Sequence, residues 1–175
     1  MPKAEIRDIS FTLNGEAVEI RAPVNRYLVD VIREDLAMMG TKRACDQGVC
    51  GSCSVIVDGV LTSACLLLAV RADGAEILTI EGIGSLEEGL DPLQASFASH
   101  GATQCGYCTP GMIVSAKALL DANPDPSVEE IKHWLTGNLC RCTGYGKIIE
   151  AVRAVAEGRT EPDPPISVPI VKVYD

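Results

Sequence analysis

The stretch CDQGVCGSC at positions 45–53 places three cysteines within nine residues, and Cys65 follows as the next cysteine of the chain. The spacing of the four is C-x4-C-x2-C-x11-C, and a single bent loop can bring the first three sulfurs together at a metal centre. Gly48 and Gly51 interrupt the stretch. They permit backbone angles that a β-carbon resists, and they allow amides to approach the sulfurs. The stretch therefore predicts a metal-binding loop.

The remaining cysteines form a second group, so that all eight cysteines of the chain fall into two sets of four. The second set combines a C-x2-C with a distant C-x-C and consists of Cys105, Cys108, Cys140 and Cys142. The spacing of the first set is typical of plant-type ferredoxins, whose cysteines hold a [2Fe–2S] cluster. Two complete sets predict two iron–sulfur clusters, and two clusters in one small chain indicate a relay for single electrons.

Other uses of the cysteines stay open at this stage. Structural zinc sites usually pair two C-x2-C-like knuckles, a layout that the first set lacks, whereas the second set alone could bind zinc or act as a thiol redox pair. A disulfide scaffold is a third alternative, although a chain of this length, rich in aliphatic residues, does not need disulfides. His100 and His133 are the only histidines, and neither lies beside a cysteine, which makes a Rieske-type site hard to build.

Charge and hydrophobicity limit the classes of protein to which this chain can belong. The 175 residues carry a formal net charge of −9, and 47% of them are hydrophobic but only 4% aromatic. This composition suits one large or two small domains with aliphatic cores. The acidic balance argues against a nucleic-acid partner and against an anionic membrane surface. No apolar run approaches the roughly 20 residues that cross a bilayer, and no signal core opens the chain, so we expect a cytoplasmic protein.

The first half of the chain predicts a small mixed α/β unit. Asn14-Gly15 and Asp58-Gly59 each separate two alternating runs, and both dipeptides tolerate the positive φ of a tight hairpin turn. The predicted segments are strands at 7–13, 18–22, 54–57, 60–62 and 77–80 and a helix from about 25 to 36. A hairpin, a crossing helix and later strands resemble the β-grasp arrangement.

After about residue 81 the pattern becomes helical, and four short helices suit a small bundle. Asp91 and Thr109, each followed by proline, are predicted caps of the first two helices, and Ser127 forms a capping box with Glu130 at the third. The predicted helices cover 92–99, 110 to about 122, a segment after 127, and 147–157. Cys108 and Cys142 each precede a helix, where free amides and the positive end of the helix dipole would face an anionic cluster.

Three motifs together resemble one family. CDQGVCGSC at 45–53, QCGYCTPG at 104–111 and GNLCRCTGY at 137–145 are similar to the motifs of the small iron–sulfur subunit of molybdenum hydroxylases, the family of xanthine dehydrogenase, aldehyde oxidoreductase and carbon monoxide dehydrogenase. The resemblance runs from about residue 4 to 157 and fills all eight ligand positions. Members often have Gly where Ala44 stands and Ala where Ser52 stands, which leaves ligation intact.

The resemblance implies an α+β fold. It implies an N-terminal β-grasp (plant-type ferredoxin-like) domain at 1–82 and an all-α four-helix-bundle domain at 83–159, each with one [2Fe–2S] cluster. The proline-rich residues 160–175 lie outside it, and we expect them to form an extended arm on a partner or to be disordered. The implied ligands of the first cluster are Cys45, Cys50, Cys53 and Cys65, and those of the second are Cys105, Cys108, Cys140 and Cys142.

The resemblance also implies a role and partners. Electrons would come from a molybdenum–pterin centre, the pterin being in its cytosine dinucleotide form, in a large subunit. They would pass the second cluster and then the first, and reach FAD in a medium subunit of a dimer of heterotrimers. Gln104 and Cys142 would contact the pterin, and this chain itself would carry no substrate site. The alternatives are a relay to a haem protein without FAD, a free-standing electron carrier, and a zinc-stabilised interaction module.

Overall fold

The computed structural model describes residues 4–84 and 89–161. Its first element is a hairpin of β1 (Ile6–Leu13) and β2 (Glu16–Pro23), which pair antiparallel. Alternation along β1 buries one face, while the turn residues Asn14 and Gly15 have φ of 53° and 85°. The predicted Asn-Gly hairpin is therefore confirmed.

A second hairpin and a short last strand complete one five-stranded sheet. The strands are β3 (Ser54–Val57), β4 (Val60–Ser63) and β5 (Glu76–Leu78). The sheet order is β2-β1-β5-β3-β4, with β5 parallel to β1 and antiparallel to β3. Strand β5 ends earlier than predicted because the amide of Thr79 donates to the side-chain Oδ1 of Asn14 at 2.8 Å, and a 3₁₀ turn follows at Ile80–Gly82.

The predicted helix near residue 25 is shorter and less regular than its pattern indicates. The chain first makes a turn, in which the Arg26 amide donates to the Pro23 carbonyl at 2.9 Å. Helix α1 (Leu28–Asp30) is a single turn that continues as a π-helical segment, Val31–Asp35, closed by a bond from the Leu36 amide to the Val31 carbonyl. The wider turn keeps the apolar side chains of this segment buried against the sheet, in the first hydrophobic core.

The second half of the described chain is helical, as predicted. The helices are α2 (Pro92–Ser99), α3 (Thr109–Ala122), α4 (Val128–Trp134) and α5 (Gly146–Ala156). They enclose a second core of Leu93, Phe97, Met112, Ile131 and Ile148, together with smaller neighbours. A 3₁₀ turn at Leu135–Gly137 follows α4. The α+β fold of a ferredoxin-like domain followed by a helical domain is thus confirmed.

The helix caps agree with the sequence at two of three positions. Asp91 and Ser127 both form the capping box at the helices that follow them. The predicted cap at Thr109 is wrong, because Cys108 is already in helical geometry and is the N-cap of α3. The hydroxyl of Thr109 faces that of Thr103 at 3.3 Å instead of an amide of its own helix.

Two predictions about the chain's organisation are not tested by the fold. The domain limits of 1–82 and 83–159 stay a prediction, and all but the first two residues of the predicted tail at 160–175 lie outside the described residues. Across the described ranges, every helix is too short or too polar to cross a bilayer.

Candidate iron–sulfur sites

The first cysteine set lies on a loop and a hairpin of the N-terminal domain. The loop that leads into β3 carries Cys45, Cys50 and Cys53, and Cys65 follows β4. Pairing of β3 with β4 continues beyond the strands, because the Ala64 amide donates to the Cys53 carbonyl at 3.2 Å. This hairpin therefore sets Cys53 and Cys65 side by side in the buried part of the site, while Cys45 and Cys50 are half-buried.

The thiols of this set influence one another in pairs. Burial raises the pKa of Cys53 to about 12, and the adjacent thiol of Cys65 also raises it. Hydrogen bonds lower the pKa of Cys45 to about 6; the largest contribution comes from the backbone amide of Gln47, 3.4 Å from the Cys45 sulfur, and the side chain of Cys50 contributes in the same direction. The set thus consists of an inner pair, Cys53 and Cys65, and an outer pair, Cys45 and Cys50.

The second set shows the same arrangement in the helical domain. Burial raises the pKa of Cys108 to about 12, and the neighbouring Cys140 adds to the rise. Burial acts in the same direction on Cys140, but the hydroxyl and amide of Thr143 outweigh it and lower the pKa of Cys140 to about 7. A side-chain hydrogen bond with Cys105 raises the pKa of Cys142. Cys108 and Cys140 form the inner pair, and the exposed Cys105 and Cys142 form the outer pair.

Pairs of thiols are the donor set that a diiron cluster requires, since each iron of a [2Fe–2S] cluster takes two protein ligands. The cysteines group by twos, with two pairs in each set. The donor chemistry of both sets therefore fits a [2Fe–2S] cluster.

The shape of the first loop depends on its two glycines. Gly48 and Gly51 have φ of +69° and +67°, the region that favours glycine, as their place in the motif predicts. A β-carbon on Gly48 would lie 2.3 Å from Leu66 Cδ1, and one on Gly51 would lie 2.4 Å from Asn138 Nδ2. The loop therefore passes close to both the following hairpin and the helical domain.

The outer end of the second set is open. Gln104, Cys105 and Cys142 are all exposed, and the Cys105 and Cys142 side chains lie within hydrogen-bonding reach of each other, so their two loops meet there. The two residues expected to contact a pterin, Gln104 and Cys142, therefore lie at the same accessible end of the domain. Their roles stay a prediction.

Residues that the sequence did not single out join the two cysteine loops. Tyr107 donates its hydroxyl hydrogen to the Arg43 carbonyl at 2.6 Å, and the Leu139 amide donates to the Cys50 carbonyl at 2.9 Å. The Asn138 side-chain amide donates to the Gly51 carbonyl at 3.2 Å. We call these three cross-domain hydrogen bonds the seam. All three donors lie inside the second and third motifs, which is the one signal that pointed to them.

Comparison with known proteins agrees with this division. A family model described as "2Fe-2S iron-sulfur cluster binding domain" matches residues 11–77, and one described as "[2Fe-2S] binding domain" matches 79–153. The chain is 51% identical over 150 residues to the nicotinate dehydrogenase small FeS subunit of Eubacterium barkeri, covering 85% of this chain and 94% of that protein.

Two solved structures share the whole fold. Quinoline 2-oxidoreductase from Pseudomonas putida 86 matches with a TM-score of 0.84 and 45% identity, covering 89% of this chain and 96% of the matched chain. The aldehyde oxidoreductase from Desulfovibrio gigas matches with a TM-score of 0.83 and 44% identity over 91% of this chain but only 19% of its own.

Fold, paired thiols and comparisons together define a two-domain [2Fe–2S] protein that takes part in electron transfer within an oxidoreductase complex. More particularly, the chain belongs to the family of small iron–sulfur subunits of the molybdenum hydroxylases.

Proposed function

We propose that this chain relays single electrons from a molybdenum–pterin centre in a large subunit to FAD in a medium subunit. The observation that carries the proposal is the seam, which joins two complete sets of paired thiols directly. When bound, a [2Fe–2S] cluster accepts and releases one electron at a time. The cysteines hold the clusters, and the surrounding structure adjusts their environment.

The inner and outer pairs have different tasks in this relay. The inner pairs anchor the clusters in the protein, and the burial of Cys53 and Cys65 and the partial burial of Cys108 and Cys140 limit access of water. Hydrogen bonds to sulfur, such as those from the Gln47 amide to Cys45 and from Thr143 to Cys140, stabilise negative charge on the ligands and so raise the reduction potential.

Electrons enter at the exposed outer pair of the second set, Cys105 and Cys142. Gln104 adjoins this pair, and its carboxamide offers both a donor and an acceptor to the edge of a heterocycle such as the pterin, which we take to be the cytosine dinucleotide form. Cys142 lies against the pterin in the proposed complex. Electrons leave from the first set, where Val49 and Leu66 expose apolar side chains beside the ligands and offer a contact surface to the medium subunit.

The relatives support an assembly of several subunits. One is named a small FeS subunit, and in the Desulfovibrio gigas enzyme the matched region is about a fifth of a longer chain, so the same unit functions beside a much larger one. We propose a cytoplasmic dimer of heterotrimers, with this chain between the large and the medium subunit. The domain limits of 1–82 and 83–159 belong to this proposal.

The test is to purify the complex that this chain forms and to assay its metals and flavin. We expect about four irons and four acid-labile sulfides per copy of the chain, as two [2Fe–2S] clusters require, together with molybdenum and FAD.

Cys45→Ser should damage the first cluster and spare the second, and Cys142→Ser should damage the second cluster and spare the first. Two intact clusters in both variants would contradict the ligand assignment. Absence of FAD would transfer the acceptor role to a haem protein.

A further inference from the structure

Asn138 is a buried amide at the boundary between the two domains. It lies two residues before the ligand Cys140, and the residue is 4% exposed. The Nδ2 group donates to the Gly51 carbonyl of the first cysteine loop and to the Gly111 carbonyl in the first turn of α3, both at 3.2 Å. Asn138 therefore holds a loop of the N-terminal domain and a helix of the helical domain through a single group.

The orientation of this amide is fixed by a third bond. The hydroxyl of Ser115, one turn further along α3, donates to Oδ1 of Asn138 at 2.8 Å. Both Nδ2 hydrogens and one lone pair of Oδ1 are thus engaged. A buried amide whose donors and acceptor are paired in this way permits only one arrangement of its neighbours. Any shift would break a hydrogen bond at a place where water cannot replace it.

The backbone next to Asn138 connects ligands of both sets. The following amide, that of Leu139, donates to the carbonyl of the ligand Cys50 at 2.9 Å. The Tyr145 hydroxyl donates to the Asn138 carbonyl at 3.2 Å and accepts from the amide of the ligand Cys140 at 2.9 Å. A displacement of Asn138 would therefore move the Cys140 segment relative to the first loop.

We propose that Asn138 is a positioning residue, which fixes the separation and orientation of the two clusters without touching either. The inference rests on the proposed function, since it requires that both cysteine sets hold clusters. Electron transfer between the two clusters depends on their separation and orientation, and the side chain of Asn138 sets both.

The role of Asn138 can be tested by substitution, because the first cysteine loop also has hydrogen bonds within its own domain. The Gly51 carbonyl also accepts from the Ser54 amide at 3.2 Å and from the Ser54 hydroxyl at 2.8 Å, both within the N-terminal domain. Removing the Asn138 amide thus deletes one of the three bonds of the seam and leaves the local turn. We expect Asn138→Ala to retain both clusters.

The experiment compares Asn138→Ala and Ser115→Ala with the unaltered chain, each in its purified complex. Ser96→Ala is the matched control, because Ser96 is also fully buried but donates to the Ala151 carbonyl within the helical domain, away from the seam. The first readout is iron and sulfide content. The second is the EPR spectrum with both clusters reduced, in which magnetic interaction between the two spins splits the signals and weakens with the cube of their distance.

We expect Asn138→Ala to keep its iron and to show a reduced splitting, Ser115→Ala to show a smaller reduction, and Ser96→Ala to retain the full splitting. Full iron with unchanged splitting in Asn138→Ala would overturn the inference while leaving the relay intact. If Asn138→Ala does not assemble, Ser115→Ala decides by the same criterion. An unaltered complex without two clusters would overturn the proposed function, and the iron assay reveals this before any variant is compared.

Discussion

At the scale of single residues, the cysteines carry the same thiol group but lie in very different surroundings. Two lie where amide and hydroxyl donors stabilise the thiolate, and two lie where burial disfavours it. The iron-free chain should therefore show a wide range of thiol reactivity, because the thiolate is the form that reacts with alkylating reagents.

In the iron-free chain, Cys45 and Cys140 should be alkylated before Cys53 and Cys108. A pKa of about 6 for Cys45 and about 7 for Cys140 makes them thiolates near neutral pH, so their alkylation rates should level off as pH rises through those values. A pKa of about 12 keeps Cys53 and Cys108 protonated until strongly alkaline pH. Pulsed alkylation followed by peptide mass spectrometry over a pH series measures this order. Modification of Cys53 first would contradict it.

The ligand residues could be predicted from sequence, whereas the residues of the seam could not. A cluster demands cysteine at set spacings, so residue type and interval together carry the information. Asn138 and Tyr107 bond to backbone carbonyls 87 and 64 residues away, and a carbonyl leaves no mark in the sequence. Only the folded chain shows which carbonyl each residue reaches.

At the scale of elements, helix α3 packs against the first cysteine loop through a residue with no side chain. A β-carbon added to Gly111 would lie 2.3 Å from the Gly51 carbonyl oxygen, which belongs to backbone and cannot rotate away. Gly111 is therefore required by close approach of the two domains. Gly146, at the first position of α5, has open space around it and is therefore the control position for a substitution at Gly111.

We expect Gly111→Ala to lower the free energy of unfolding by about 1–3 kcal/mol, the usual cost of overpacking a tight contact. Gly146→Ala should be neutral or slightly stabilising, because alanine favours a helix more than glycine does. Chemical denaturation of the cluster-loaded protein, followed by circular dichroism, provides the comparison. Equal stability of the two variants would show that the helix and the loop can separate without cost.

The elements differ in how well the sequence predicted them. Both hairpins were predicted because Asn-Gly and Asp-Gly are local signals that need no tertiary context. The segment near residue 25 was harder, since its apolar spacing fits an α-helix but burial against the sheet favours a π turn at Val31–Asp35. Thr109 was mistaken for a cap because the sequence cannot show that Cys108 already adopts helical angles.

At the scale of the whole molecule, the two sites draw ligands from segments far apart in the chain. The second set joins the loop before α3 to the loop before α5, and the first set joins a loop to a hairpin. Each cluster thus acts as a cross-link between segments, and its binding free energy contributes to folding. The cysteine loops contain three trypsin sites, at Lys42, Arg43 and Arg141. Cleavage at these sites therefore reports how readily the loops open.

Removal of iron by a chelator should accelerate tryptic cleavage after Lys42, Arg43 and Arg141. We expect about a tenfold increase or more, which corresponds to a loss of about 1.4 kcal/mol in the free energy of local opening. Arg71, which is exposed in a 3₁₀ turn outside both loops, is the internal control and should be cleaved at the same rate in both forms. Equal protection of the loops without iron would mean that the protein fold alone keeps them closed.

The acceptors of the seam have a consequence for how such proteins can change. Arg43, Cys50 and Gly51 each contribute a carbonyl oxygen, a group that every amino acid carries. The seam therefore follows the course of the ferredoxin-like main chain, whereas side-chain packing between the domains involves Ile56 of β3, which is buried in the second core. Exchange of the N-terminal half for that of a related subunit should leave docking intact where an apolar side chain is kept at position 56, so that the two halves are separable parts for building hybrid electron carriers.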